Sequence, residues 1–304
     1  MGVWRASGLA SLLSAVALAA SASATAAPRA VSVASVTSAP IHALRVPWGR
    51  IGYRSVGHGS PLVLIMGLAG NIDDWPPSLI AALAQRHRVI VFDNEGIGLS
   101  TLRPGAFTIT RMADDTASLI ATLHLPRPAV MGWSMGGFIA QALAVRHPGA
   151  IGRLVLSATA PGTGNAALPS GPVLAALGNG AQGALKYLFP PDQAKFAAAY
   201  IQEITSYPHF YVTPANIVTL QLRASSRWLA GREAAGRRVG RLRLPTLIGD
   251  GRDDVILPTA NSVKLAHLIR GSRLKLYPDA GHGFVFPDER QWVATIDRFL
   301  AATS

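Results

Sequence analysis

Three residue types, far apart in the chain, can together turn a hydroxyl into a nucleophile. Ser134 lies in Gly132-Trp133-Ser134-Met135-Gly136, a G-x-S-x-G spacing. A strand that reverses into a helix within so few residues brings its flanking positions together, so those positions must be small. The residue at the apex takes a strained backbone conformation that pushes its hydroxyl out of the turn. The helix starting there offers unpaired backbone N–H groups and a partial positive charge. A serine hydroxyl is a poor nucleophile at neutral pH. It needs a base, and the base needs an orienting carboxylate. His282, in Asp-Ala-Gly-His-Gly at 279–283, is the candidate base. Asp254, in Gly-Asp-Gly-Arg-Asp-Asp at 249–254, is the candidate carboxylate, with Asp250 and Asp253 as neighbouring alternatives. The chemistry of such a set is acyl transfer, with attack on a carbonyl carbon and the proton handed to the imidazole.

The surrounding pattern has to position these groups. Residues 128–131 read as a short strand, and 135–147 as a helix carrying Phe138, Ile139, Ala142, Leu143 and Val145 at helical spacing, stopped by Pro148. Strands are expected at 46–56, 61–66, 88–92, 154–157, 245–248 and 274–277, and the apolar run 62–65 is that of a strand covered on both faces. Helices are expected at 76–86, at 110–123 with Thr110 as N-cap, at 258–269 and at 287–302. This alternation argues for an α/β fold, a mostly parallel twisted sheet with helices on both faces. Ser134, Asp254 and His282 each follow a strand, which brings them to one edge of the sheet, where glycine-bearing loops at 66–70 and 93–100 also emerge. The rhythm breaks over residues 161–238. Helical segments there (181–188, 193–205, 214–235) without any apolar strand-like run predict an inserted helical lid. Trp133 beside the serine, and Tyr187, Phe189 and His209 in the lid, are the substrate-pocket candidates, with packing as the competing role.

Five pieces then stand in a recognisable order: Met-Gly-Leu-Ala-Gly at 66–70, Asp-Asn-Glu-Gly-Ile-Gly-Leu-Ser at 93–100, Gly-Trp-Ser-Met-Gly-Gly at 132–137, Gly-Asp-Gly-Arg-Asp-Asp-Val-Ile-Leu-Pro at 249–258 and Asp-Ala-Gly-His-Gly at 279–283. Over residues 46–304 the sequence resembles the α/β-hydrolase superfamily, whose triad follows the chain order Ser, Asp, His. The resemblance implies Ser134 as nucleophile, His282 as base and Asp254 as acid, the last because it matches the family's G-x-x-D…P spacing. It also implies an oxyanion hole from the backbone N–H groups of Leu68 and Met135, and chemistry with no cofactor. Two positions depart from the pattern. Met66 stands where the family often has His, and Glu95 where it often has Arg.

Composition bounds the rest. The chain has 304 residues, nearly half of them hydrophobic, and no cysteine. Disulfides, thiolate metal sites and a lipid-anchored N-terminus are therefore excluded. The remaining histidines show no paired ligand spacing, so no metal is implied. Residues 1–27 have one early cation, a short apolar run and Ala-Thr-Ala at 24–26, the pattern of a signal peptide cleaved near Ala26 or Ala27, hence export to the periplasm or beyond. Residues 28–45 read as a flexible lead-in, 46–160 and 239–304 as the core, and 161–238 as the lid. The net charge of +12 comes with scattered Arg and no nucleic-acid motif, so nucleic acid is not an expected partner. The Arg cluster at 223, 227, 232, 237, 238, 241 and 243 suits weak association with an anionic envelope surface. The expected function is hydrolysis of a small or medium carboxylic ester or lactone. The alternatives are a C–C hydrolase, a cofactor-free haloperoxidase-like activity, and an exported non-catalytic binding protein on the same fold.

Overall fold

The apolar runs assemble into one eight-stranded sheet in a computed structural model of the chain, which describes residue 1 and residues 30–302. The strands are β1 (His42–Val46), β2 (Gly49–Val56), β3 (Ser60–Ile65), β4 (His87–Phe92), β5 (Ala129–Trp133), β6 (Arg153–Ser157), β7 (Thr246–Gly251) and β8 (Arg273–Tyr277). Their spatial order is β1-β2-β4-β3-β5-β6-β7-β8. β1 and β2 form an antiparallel hairpin, and β2 pairs antiparallel with β4. All pairings from β4 through β8 are parallel. Leu62, Val63, Leu64 and Ile65 of the central strand β3 are wholly buried, as both-face coverage requires.

The helices that cover the sheet are α1 (Val33–Thr37), α2 (Pro77–Ala84), α3 (Ile109–Thr122), α4 (Met135–Arg146), α10 (Ala260–Leu268) and α11 (Glu289–Ala301). Right-handed crossovers fix their faces. The β3–α2–β4 connection runs toward one edge of the sheet, and the β4–α3–β5 connection runs back past β3. So α2, which packs on α11, and α3, which packs on α4, lie on opposite faces. The reversal leaves a switch point between the carboxyl ends of β3 and β5, where open α/β sheets bind ligands. Between β6 and β7 the regular elements are helical only: α5 (Gly171–Leu177), α6 (Gly180–Leu188), α7 (Ala194–Ile204), α8 (Ala215–Leu229) and α9 (Ala234–Arg237) within residues 161–238, with a 3-10 turn at Pro191–Gln193 and another just beyond at Val239–Arg241.

Several local expectations are corrected. The expected flexible lead-in carries α1 and most of β1 and is packed down. Val36 is wholly buried, Gln85 Nε2 donates to Val31 O at 2.6 Å, and Arg54 Nε donates to Ala39 O at 2.9 Å. Its Ser-rich composition hides a reciprocal cap between Ser32 and Ser35 and a strand whose partner lies one tight turn away. Thr108, not Thr110, caps α3, its hydroxyl accepting from Arg111 N at 3.0 Å. Thr110 instead donates to Glu233, through N at 2.9 Å and Oγ1 at 2.5 Å. The helix expected over 214–235 is broken after Leu229, where Gly231 takes φ +65°. The expected signal segment, residues 1–27, lies outside the described residues apart from Met1. Among the described residues no helix is long and apolar enough to cross a membrane.

Where the sheet meets α4 there is no room for a side chain. A Cβ on Gly136 would lie 2.0 Å from Ile65 O, and one on Gly132 would lie 2.2 Å from Gly136 O. Both obstacles are backbone atoms and cannot rotate away. Gly136→Ala is therefore expected to lower the free energy of unfolding by about 3 kcal/mol, read as a drop in the urea midpoint at unchanged slope.

Candidate active site

The tight crossing dictates the conformation of Ser134. The residue has φ 57° and ψ −122°, a left-handed backbone costing on the order of 1–3 kcal/mol for a non-glycine side chain. Fixed bonds hold it there. Ser134 N donates to Ser157 O at 2.9 Å, while its carbonyl accepts from Gly137 N at 2.9 Å and from Thr159 Oγ1 at 2.8 Å. The first ten residues of α4, Met135 to Ala144, are all buried, so the helix N-terminus behind the serine is braced on every side.

The imidazole and carboxylate meet in the interior. His282 Nδ1 and Asp254 Oδ2 are 2.7 Å apart, with both side chains almost fully buried. The other carboxylate oxygen, Asp254 Oδ1, accepts from Ile256 N at 2.8 Å and Leu257 N at 2.9 Å. Three donors thus converge on one carboxylate and fix its orientation, which in turn holds the Nδ1–H tautomer of His282. The loop bearing His282 is anchored on two sides. Trp133 Nε1 donates to His282 O at 3.1 Å, and Gly283 N donates to Leu188 O at 2.6 Å. Ser134 and His282 line the same cavity, and no hydrogen bond joins them in the structure. The alternative carboxylates are placed elsewhere. β7 continues to Gly251, so Asp250 is an interior strand residue bonded to Ser262 Oγ at 2.7 Å. Burial first, and the neighbouring Asp254 second, push its carboxyl well above the usual carboxylate range. Asp253 is exposed.

The amides of Leu68 and Met135 have no acceptor among the described residues. The loop carrying Leu68 is strained at Ala69 (φ 63°) and held from a distance: Ala69 N donates to Gln221 Oε1 of α8 at 2.7 Å. Met66 fills the space beneath Gly70 with its thioether, and Asn94 Nδ2 donates to its carbonyl at 3.2 Å. Beyond it, Asn71 opens a 3-10 turn at Ile72–Asp74, whose Asp73 is paired with buried Arg54 at 2.7 Å. Asp93 Oδ1 accepts from Ile72 N and from the Tyr211 hydroxyl, each at 2.9 Å. Burial, opposed by those two donors, raises Asp93 to about 6. Glu95 is also buried, and its charge is met by Arg111 and Arg103.

These elements enclose a cavity of about 700 Å³. The loop 66–70, Trp133, Ser134, His282 and Asp74 form one side of its lining, and apolar residues of α6, α7 and α8 with the 210–213 segment form the other. Of the four pocket candidates, only Trp133 lines it. Tyr187 packs partly buried against the core, Phe189 is buried against Tyr200 and Phe286, and His209 is exposed. Sequence reading missed Gln221, although it carried a signal: it shares the apolar stripe of α8 with Ile217, Val218, Ala224 and Trp228 and is wholly buried. A polar group on such a stripe needs a partner. Among the described residues no cluster of His, Asp and Glu could hold a metal ion.

The family described as the alpha/beta hydrolase fold matches residues 60–289. A Mycobacterium tuberculosis protein described as a non-heme bromoperoxidase, BpoC, is 44% identical over 110 residues. That match spans 36% of this chain and 42% of BpoC. A protein of Azorhizobium caulinodans described as a carbamate hydrolase, RutD, is 29% identical over 251 residues, 78% of this chain and 90% of that one. Among solved structures, the enol-lactonase of Burkholderia xenovorans superposes with a TM-score of 0.67 at 26% identity, covering 86% of this chain and all of the other.

Asp74 generates a pH prediction. Burial first, then the charges of Asp73 and Asp93, overcome the Asn71 N–H and raise its carboxyl from 3.8 to about 7. Between those values the folded chain holds a proton that the unfolded chain has released. Stability attributable to this group therefore falls as pH rises from about 4 to about 7 and stays low above that. Asp74→Asn removes the ionisation and keeps an acceptor for Asn71 N. Denaturant titrations are expected to show the variant gaining on the wild type across that window, by on the order of 4 kcal/mol at most.

Proposed function

The chain belongs to the α/β-hydrolase fold family, and on that premise we propose that it is a serine hydrolase that cleaves a carboxylic ester or lactone through an acyl-enzyme. The observation that carries this reading is the shared cavity: Ser134 on a strained elbow, His282 held by Asp254 from behind, and two amides without acceptors beside them.

In the proposed reaction Ser134 Oγ attacks the carbonyl carbon as its proton passes to His282 Nε2. The negative oxygen is received by the N–H groups of Leu68 and Met135, neither of which has an acceptor among the described residues. Asp254 holds the ring tautomer and stabilises the imidazolium that forms. His282 then protonates the leaving alkoxide, the C–O bond breaks, and the acyl group remains on Ser134. Water, deprotonated by the same ring, attacks this ester and releases the acid. The open Ser134–His282 hydrogen bond is one that substrate closes, as in other apo sites. A lactone undergoes the same steps with its alcohol still attached to the acyl group. The apolar wall and the volume of the cavity suit a medium-sized acyl or lactone substrate, with residues 161–238 acting as its lid. The similarity in fold to an enol-lactonase is consistent with such a substrate.

The signal-like pattern of residues 1–27 supports action outside the cytoplasm. There the seven exposed arginines from Arg223 to Arg243 would face an anionic envelope surface, since the acid between them, Glu233, is buried capping α3.

A fluorophosphonate reagent is expected to label the wild type and to leave Ser134→Ala unlabelled. With p-nitrophenyl esters, Asp254→Asn is expected to lower kcat on the order of 10⁴-fold. A folded wild type that takes no label and turns over no ester would favour the non-catalytic binding protein instead. Retention on phosphatidylglycerol vesicles is expected at low salt and to be lost by about 0.5 M, more than screening a Debye length of ~8 Å requires. Retention that ignores salt would remove the arginines from the account.

A further inference from the structure

One acid faces a cavity that the proposed chemistry does not need it for. Asp74 is the sole carboxyl among the described lining residues and shares that lining with Ser134 and His282. Its Oδ2 accepts from Asn71 N at 2.8 Å, and its second oxygen has no hydrogen-bond donor among the described residues. The nearby cation is already committed: Arg54 is paired with Asp73 at 2.7 Å and stacks over the Tyr207 ring at 4.7 Å. The side chain is held in place. It closes the reciprocal cap of the 3-10 turn, and the Tyr200 hydroxyl donates to its own carbonyl at 3.1 Å. An amide at this position would serve the cap equally well, so the fold does not account for the acid.

A partly buried carboxyl with one oxygen open to the cavity is an acceptor that a ligand supplying a donor can use. A ligand that covers that oxygen without supplying a donor buries it unpaired and is disfavoured. Asp73 and Asp93 lie close enough to raise the Asp74 carboxyl, so the local potential is negative although the whole chain is strongly basic. This favours a cation and disfavours a second anion. Resting on the hydrolase reading, we propose that Asp74 is the polar anchor of the substrate cavity, and that the substrate carries, away from its scissile carbonyl, a hydrogen-bond donor that is best supplied by a protonated amine.

Binding is the direct test, because it needs no turnover. Calorimetric titration of the full chain with n-hexylammonium, 1-hexanol and hexanoate at pH 8 is expected to rank them in that order, with the ammonium about 10-fold tighter than the alcohol. Asp74→Asn, which keeps the cap, is expected to bring the ammonium to within about 3-fold of the alcohol, and Asp74→Leu to place the alcohol first. Equal affinity of the wild type for all three, or a ranking unchanged in both folded variants, would overturn the proposal. The fluorophosphonate reagent, used on the same samples, separates the two readings. Ser134 labelled without ammonium preference sinks the Asp74 anchor alone. Ammonium preference without labelling sinks the hydrolase reading and leaves Asp74 as a binding residue only.

Discussion

The carbonyl of Ile65, at the end of β3, lies where a side chain on Gly136 would have to go, and the rest of the site depends on that close approach. With no Cβ at positions 132 and 136, α4 can start directly against the sheet. The chain then has only one residue in which to reverse, and that residue, Ser134, takes the left-handed conformation. The strain is offset by packing, since α4 is buried along nearly its whole length. The same approach sets the amide of Met135, first in the helix and without an acceptor, beside the serine.

Strain recurs along the carboxyl edge. Ala69, Ala158 and Asp279 also have positive φ, and they follow β3, β6 and β8. Each is tied by a contact from another part of the chain. Ala69 N is held by Gln221, Ala158 N donates to Gly249 O at 2.9 Å, and Asp279 O accepts from Gln193 Nε2. Two of these three ties come from the helices between β6 and β7. With Asn71 Nδ2 donating to Tyr211 O at 2.8 Å and Gly283 N to Leu188 O, those helices shape the edge as well as cover it.

The two departures from the family pattern are compensated locally. Met66 supplies volume beneath Gly70 where its loop turns. Glu95 replaces a cation with an anion, and Arg103 and Arg111 restore the charge balance from a neighbouring loop and α3. The charge compensation is not visible in local sequence, because it joins segments whose spacing carries no period. The same limit explains the pocket residues. Tyr187 and Phe189 are aromatic and sit in the helical segment, yet the packing of Phe189 on Tyr200 and Phe286 turns it into the wall's interior. Gln221 was legible in principle as a polar residue on an apolar stripe, whereas its partner, a backbone amide 152 positions earlier, was not.

The amino-acid sequence by itself determined the parallel sheet, the strand-to-helix reversal at Ser134 and the order in which Ser134, Asp254 and His282 reach the edge. These follow from apolar periodicity and from glycine spacing, both properties of neighbouring residues. The family-like spacing favoured Asp254 among three nearby acids, and the tertiary structure shows how it comes to meet His282. The pairing of β7 with β8 extends through Asp250 and Gly251, burying Asp250 within the strand and bringing Asp254 to Nδ1 of the ring. Only the tertiary structure gave the cavity an acid at position 74. In the sequence, Asp73 and Asp74 are one repeated letter. In the fold, one is spent on Arg54 and the other opens on the cavity beside the serine, because which partners are within reach is set by where distant segments pack.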